Sequence, residues 1–456
     1  MTTGWSEADL SRLDELIESQ ERTFFDRQQR SAALLARAGA VLAGGATSSW
    51  QIARPQMIWV GHGRGSKVYD ADGIEYSDFN GGYGVGLMGH AHPAVVDAVS
   101  SRVARGTHFA QPTEDAIAVA SMLAERWGLP LWRFSNSGTE TTMDAVHLMR
   151  AITERDLIIK VEGCYHGHHD SVMVSVANGA DEIGPAHRPA SAQAGAGLPS
   201  AITDLTISVS YNDLDMLERV FAEHQGRIAG MIVEPIMMNA GIIKPEPGYL
   251  EGLRAVTKKN GALLVFDEVK TGLTTGPGGV TRLSGVTPDI VCLAKALGGG
   301  IACGALGGTA EVMGFISDGG YEQVGTFNGN PLTMAAARAT LETLDRAAYD
   351  NLERLNKMMV VESERIVDEF ELPAYVVSIG AKGAVTFSPD QVRNYRDFLT
   401  IDDRTGHAHW LFQHAGGVFL PPWGKAEQWL ISVQHGEEDT DRFLTNFETM
   451  AKAIRN

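Results

Sequence analysis

The sequence predicts an α/β protein with a large domain, built on a mainly parallel sheet flanked by helices, and a small α+β domain from both chain ends. Three observations predict it. From about residue 90 to 340, strand-like apolar runs alternate with helical stretches, the pattern of a parallel sheet covered on both faces. Several of those runs end in a polar or charged residue followed by a small loop. Both chain ends instead carry long helices and short alternating strands. We therefore expect an N-terminal arm with the first part of the small domain over 1–88. The large domain should span 89–345, and the rest of the small domain 346–456.

The elements follow in order. In residues 6–38, Leu10, Leu13, Ile17 and Phe24 fall on one helical stripe among many charges. This is an amphipathic arm, fit to lie on the protein's own surface or on a partner subunit. SKVYDADGIEYSDF is a hairpin, with Asp72-Gly73 between alternating segments. WRFSNS is a strand leading into the helix of TETTMDAVHLMRAIT. LIIKVEG, AGMIVEPI, ALLVFDEV and DIVCLAK are further strands. A long helix at 350–370, a strand-rich AYVVSIGAKGAVTF and a last helix from Asp439 complete the chain.

Composition narrows the function. Of 456 residues, 44% are hydrophobic and 21% charged, which is ordinary for a globular chain able to bury a large core. The net charge of -18 argues against a nucleic-acid binder, which needs a basic footprint. The apolar runs are far shorter than the ~20 residues of a membrane span. The N-terminus is polar and acidic, unlike a secretory signal. Cys164, Cys292 and Cys303 have no CxxC spacing. A cytoplasmic protein is expected.

Two motifs are decoys. Gly84-Val-Gly86-Leu-Met-Gly89 matches a dinucleotide fingerprint but lacks the acid ~20 residues on. YHGHHD bunches His166, His168 and His169 too tightly for one regular element to aim at one ion, so no metal site is expected.

Three other segments fit one cofactor. In SNSGTETT a helix starts after a polar loop, and its free N–H groups with the hydroxyls of Ser137 and Thr139 make an anion site. In GALLVFDEVKTG the strand period puts Asp267 and Val269 on one face at the carboxyl end of a buried strand. A buried carboxylate there needs a cationic partner such as a protonated ring nitrogen. In DIVCLAKALGGG, Lys295 ends an apolar run. Partial desolvation would lower its pKa and make it a nucleophile for a Schiff base. Anion cradle, ring acid and amine together meet the needs of pyridoxal phosphate.

At these residues the sequence resembles the class III aminotransferases of fold-type I, nearest the glutamate semialdehyde aminomutase branch. The resemblance runs from about Gly44 onward. DADGIEYSDF, GHAHPAV, SNSGTE, YHGHHDS, YNDL, VEPI, PGYLEGLR, GALLVFDEVKTG, GVTPDI, LAKALGGG and GTFNGNP carry it. It implies that Lys295 holds pyridoxal phosphate as a Schiff base and shuttles the substrate proton. It implies that Asp267 pairs with the pyridinium nitrogen, that Tyr165 and Val269 sandwich the ring, and that Ser137, Gly138 and Thr139 hold the phosphate. Asn239 would contact the phenolic oxygen. Thr326 would reach the phosphate of the neighbouring subunit, making a homodimer with its active site at the interface.

The departures concern substrate. Where the aminomutase loop resembles GGVNSPVR, this chain has Gly44-Gly45-Ala46-Thr47-Ser48-Ser49-Trp50-Gln51, with Gln51 in the arginine place. Between Arg404 and Arg442 there is no arginine to clamp a carboxylate. Ser48, Trp50, Tyr83 and Trp423 lie in segments that border the site in relatives. They suggest a pocket for an apolar or aromatic amine, or for a β-amino acid. The expected reaction is ping-pong transfer of an amino group from an amine or amino acid to a keto acid or aldehyde, with intramolecular aminomutation as the alternative. Lys270, in DEVKTG, receives no role.

Overall fold

The computed structural model describes residues 4–422 and 424–455, and Trp423 lies outside the described residues. The chain divides into two compact units. Residues 93–349 and 392–399 form one. Residues 1–92, 350–391 and 400–456 form the other.

The first of these is built on a seven-stranded sheet. From one edge its strands are Leu131–Ser135, Gly304–Gly308, Ile290–Leu293, Leu263–Asp267, Ile228–Val233, Leu157–Val161 and Thr206–Val209. The last five pair in parallel. Gly304–Gly308 runs antiparallel to both its neighbours. The edge strand Leu131–Ser135 therefore shares the direction of the other five. The strands Ile228–Val233, Leu157–Val161 and Ile290–Leu293 are buried at every position. That is why they show as nearly continuous apolar runs rather than alternating ones, broken in Leu157–Val161 by Lys160, whose buried Nζ donates to the Val161 and Val174 carbonyls at 3.0 and 2.6 Å. A core of Val146, Met149, Ile158, Ile232, Val265 and Ile290 lies between the sheet and the helix Gly138–Thr153.

The reversed strand is absent from the sequence reading. GALGG looks like a loop, because glycine is depleted in strands. Here the glycines make room for neighbours. A Cβ on Gly307 would sit 2.5 Å from the Trp132 ring, and one on Gly304 would sit 2.3 Å from the Ser135 hydroxyl.

The common direction of six strands matters for function. Ser137, the Tyr165 loop, Glu234, Asp267 and Lys295 all follow carboxyl ends of strands at one edge of the sheet. That edge is where α/β proteins bind ligands.

The other unit holds a four-stranded sheet in the order Val60–Arg64, Lys67–Asp70, Glu75–Asp78, Val418–Phe419, and a three-stranded sheet of Tyr375–Ile379, Lys382–Thr386 and Trp429–Leu430. The predicted hairpin is present, with Gly73 in the left-handed region at φ 85°. The arm forms two helices, Glu7–Arg27 and Gln29–Ala38. Ser6 and Asp9 close the first as a reciprocal capping box. Of its stripe, Leu13 and Phe24 are buried. Phe24 packs on Trp410 and His414 of the helix Asp403–Ala415, so this stripe is used within the chain itself.

Candidate active site

The helix Gly138–Thr153 begins on Ser137, whose backbone is extended and whose hydroxyl accepts from the Glu140 N–H at 3.2 Å. The N–H groups of Gly138 and Thr139 belong to the first turn and have no partner inside the helix. Side-chain space beside Gly138 is closed, since a Cβ there would lie 2.9 Å from Val269 Cγ1. The Thr139 hydroxyl accepts from the His168 N–H at 3.1 Å. Gly167, at φ 104°, lets that loop approach Thr139; a Cβ would meet the Thr139 Cα at 2.7 Å.

Asp267 ends its strand and is buried. Its Oδ1 accepts from the Val269 N–H at 3.0 Å. Its Oδ2 lies 2.8 Å from His166 Nδ1. A carboxylate only accepts, so the ring proton of His166 sits on Nδ1. Each carboxylate oxygen keeps a further lone pair for a cation.

Lys295 follows the strand Ile290–Leu293 in the left-handed region, at φ 46°. For a non-glycine residue this costs about 1 kcal/mol. Burial pushes its ammonium below the ordinary lysine range, against the opposing pull of the Asp267 and Glu234 carboxylates. Such an amine sheds its proton more readily and becomes nucleophilic.

Glu234, which the sequence reading left without a role, ties three pieces together. Its carboxylate accepts from the Tyr165 N–H at 2.9 Å, the Met238 N–H at 2.8 Å and Asn239 Nδ2 at 2.9 Å. The Tyr165 phenol is pushed up by burial and by the Asp267 charge. Lys270 is buried too, and its Nζ donates to the Met238 carbonyl at 2.8 Å. Burial and the nearby Lys295 bring its pKa down to about 7, with Glu234 opposing.

These residues lie in one unit. Thr326 belongs to the same unit and sits on an exposed turn, its carbonyl 2.6 Å from His108 Nε2. That turn lines a cavity of about 550 Å³ with His108, Phe109, Arg133 and Phe134. Of the residues suggested for the substrate, Tyr83 lines a cavity of about 340 Å³ in the other unit. Met57, Ile58, Trp59, Trp410 and Phe419 line it as well. Ser48 and Trp50 are exposed and lie outside its lining. The Tyr83 hydroxyl donates to the Trp50 carbonyl at 2.8 Å. Gln51 turns back on its own loop, accepting from the Thr47 N–H and hydroxyl at 3.1 and 2.8 Å.

Residues 51–427 match the family model for the class-III aminotransferases. The chain is a class-III aminotransferase. The aminotransferase is 38% identical to a glutamate-1-semialdehyde 2,1-aminomutase of Syntrophomonas wolfei, over 94% of this chain and 98% of that one. Its fold matches an omega-transaminase of Sphaerobacter thermophilus with a TM-score of 0.87 at 33% identity, covering 93% and 98% of the two chains. It matches a glutamate-1-semialdehyde aminomutase of Pseudomonas aeruginosa with a TM-score of 0.90 at 28% identity, covering 98% and 99%. The cofactor of the aminotransferase is pyridoxal phosphate. Its residues fit that group: a buried acid with spare lone pairs for a protonated ring nitrogen, a lysine of lowered pKa for an aldehyde, and a helix start for a phosphate. Among the described residues no helix is long and apolar enough to cross a membrane.

His166 was visible in the sequence only as part of a crowded histidine loop. Its pairing with Asp267 spans 101 residues, and no local pattern signals it. Glu234 had a faint signal, as the charged end of AGMIVEPI.

Proposed function

We propose that this aminotransferase moves an amino group between two separate small molecules, from an amine or amino acid of apolar, aromatic or β-amino type to a keto acid or aldehyde. The observation that carries the reading is the partly buried Lys295 amine, within the field of the Asp267 carboxylate at one sheet edge. Pyridoxal phosphate, when bound, supplies an electrophilic aldehyde and a ring that accepts an electron pair. Lys295 would anchor it, and its Nζ would take and return the substrate proton. Asp267, held by His166 and the Val269 N–H, keeps the ring nitrogen protonated. Tyr165 and Val269 would hold the ring between them. The first-turn N–H groups after Ser137, with Gly138 and Thr139, bind the phosphate. Asn239, whose Nδ2 donates to Glu234, would hold the phenolic oxygen.

Transfer between two molecules is favoured by Gln51. Its side chain is engaged with Thr47, and an amide cannot offer a substrate carboxylate the paired donors of an arginine. Intramolecular aminomutation is the second reading, and the curated relatives favour it.

Thr326 would hold the phosphate bound by a second copy of the chain. Its turn exposes Val324 at 80% and Phe327 at 58%, an apolar surface that a homodimer would cover. A cytoplasmic setting agrees with three buried, unpaired cysteines.

The test is a half-reaction. The enzyme is loaded with cofactor, converted with an amine, freed of small molecules and given pyruvate. Return of the aldehyde spectrum supports transfer between molecules. Turnover confined to glutamate semialdehyde, with no response to any external keto acid, supports the aminomutase instead.

A further inference from the structure

Lys270 is a second buried amine at this edge of the sheet, and the reading above gives it no task. Its surroundings are specific. The Nζ donates to the Met238 carbonyl at 2.8 Å and faces Asn239 Oδ1 at 3.4 Å. On the other side of the same amide, Asn239 Nδ2 donates to Glu234 at 2.9 Å.

The two ends of an asparagine amide have nearly the same shape, so packing alone does not choose between its two orientations. Hydrogen bonds do. Here a donor-only group meets one end and an acceptor-only group the other. Turning the amide over would set its oxygen against the Glu234 carboxylate and its NH₂ against the Lys270 amine. Both bonds would be lost. When Lys270 loses its proton its amine gains a lone pair that could accept from a turned amide, and the Glu234 carboxylate, which only accepts, then sets the choice.

We propose that Lys270 is a positioning residue: with Glu234 it locks the Asn239 amide so that an N–H, and not the carbonyl, is presented to the cofactor's phenolic oxygen. This rests on the placement of Asn239 at that oxygen made above. Nδ2 carries two hydrogens; Glu234 takes one and the second stays available. Met238, adjacent to Asn239, is held at both main-chain ends, its N–H by Glu234 and its carbonyl by Lys270. The backbone that carries the amide is thus fixed by the same two side chains.

The test is a double-substitution cycle read by cofactor affinity and spectrum rather than turnover. Apo-protein carrying Lys270→Met, Asn239→Ala, or both is titrated with pyridoxal phosphate. Affinity is followed by fluorescence quenching, and the visible band of each loaded protein is recorded. Circular dichroism checks folding, and Lys270→Ala replaces Lys270→Met if the latter does not fold. We expect each single change to weaken binding about tenfold and to displace the band in the same direction. The double variant should be no weaker than Asn239→Ala alone. A Lys270 variant with unaltered affinity and band, beside an impaired Asn239→Ala, overturns the role of Lys270 and leaves Asn239 in place. Losses that multiply in the double variant overturn it as well. A silent Asn239→Ala removes both the placement of Asn239 and the proposal built on it.

Discussion

His166 Nδ1 and Asp267 Oδ2 lie 2.8 Å apart, and both side chains are buried. The backbone that carries the histidine is held as well, since the Thr142 hydroxyl donates to the His166 main-chain carbonyl. The ring Nε2 is buried and finds no protein partner among the described residues. The imidazole therefore serves the carboxylate through one nitrogen, and the carboxylate keeps lone pairs directed elsewhere. A pair of this kind fixes the direction of an acid.

Removing the imidazole should leave Asp267 with the Val269 N–H as its remaining partner. His166→Ala is expected to destabilise the apo-protein by about 2 kcal/mol, the scale of a hydrogen bond to a charged group. Urea unfolding measures this, and a parallel titration should show weaker cofactor binding. An unchanged midpoint would mean that the pair contributes nothing to the fold.

Lys295 is assigned as a nucleophile and not merely as a cation. Lys295→Arg keeps the charge but gives a group that does not deprotonate. Both Lys295→Arg and Lys295→Ala should lower turnover by at least about 100-fold, the lower range for loss of a proton-transfer group. Borohydride reduction with peptide mapping should label position 295 in the unaltered protein and nothing in either variant. A labelled peptide elsewhere would move the anchor.

The close approach of Gly138 and Val269 gives a packing test. Gly138→Ala places a methyl 2.9 Å from Val269 Cγ1 and should cost about 1–3 kcal/mol, as overpacking does. Adding Val269→Ala removes the obstructing carbons and should recover most of that stability. If Val269 holds the ring as proposed, cofactor affinity should stay low in the double variant. Full recovery of affinity would argue against Val269 as a ring contact.

Lys270 should leave a mark on stability against pH in the apo-protein. Its pKa is about 7 in the fold, against an ordinary 10.5. Between those values the unfolded chain binds the extra proton, so stability rises with pH. Lys160, brought down to about 8 by burial, acts in the same direction. Cys303, pushed up to about 12, acts oppositely above about pH 8.5, where a free thiol ionises. From pH 7 to 8.5, Lys270→Met should therefore flatten the rise by up to about 1.4 kcal/mol per pH unit. Parallel curves for the two proteins would show that Lys270 keeps an ordinary pKa.

The sequence by itself determined the alternation of strands and helices, because the central strands are buried on both faces and are apolar along most of their length. It also offered Asp267 and Lys295 as candidates, since a charge closing an apolar run is visible locally. The reversed strand Gly304–Gly308 escaped, because its glycines answer to Trp132 and Ser135, far away along the chain. Only the tertiary structure decided that His166 serves Asp267, that Glu234 gathers Tyr165, Met238 and Asn239, and that Lys270 closes the same network. The reason is physical: periodicity records which face of an element is buried, whereas the partner of a buried polar group is chosen by strand order, which joins residues many positions apart.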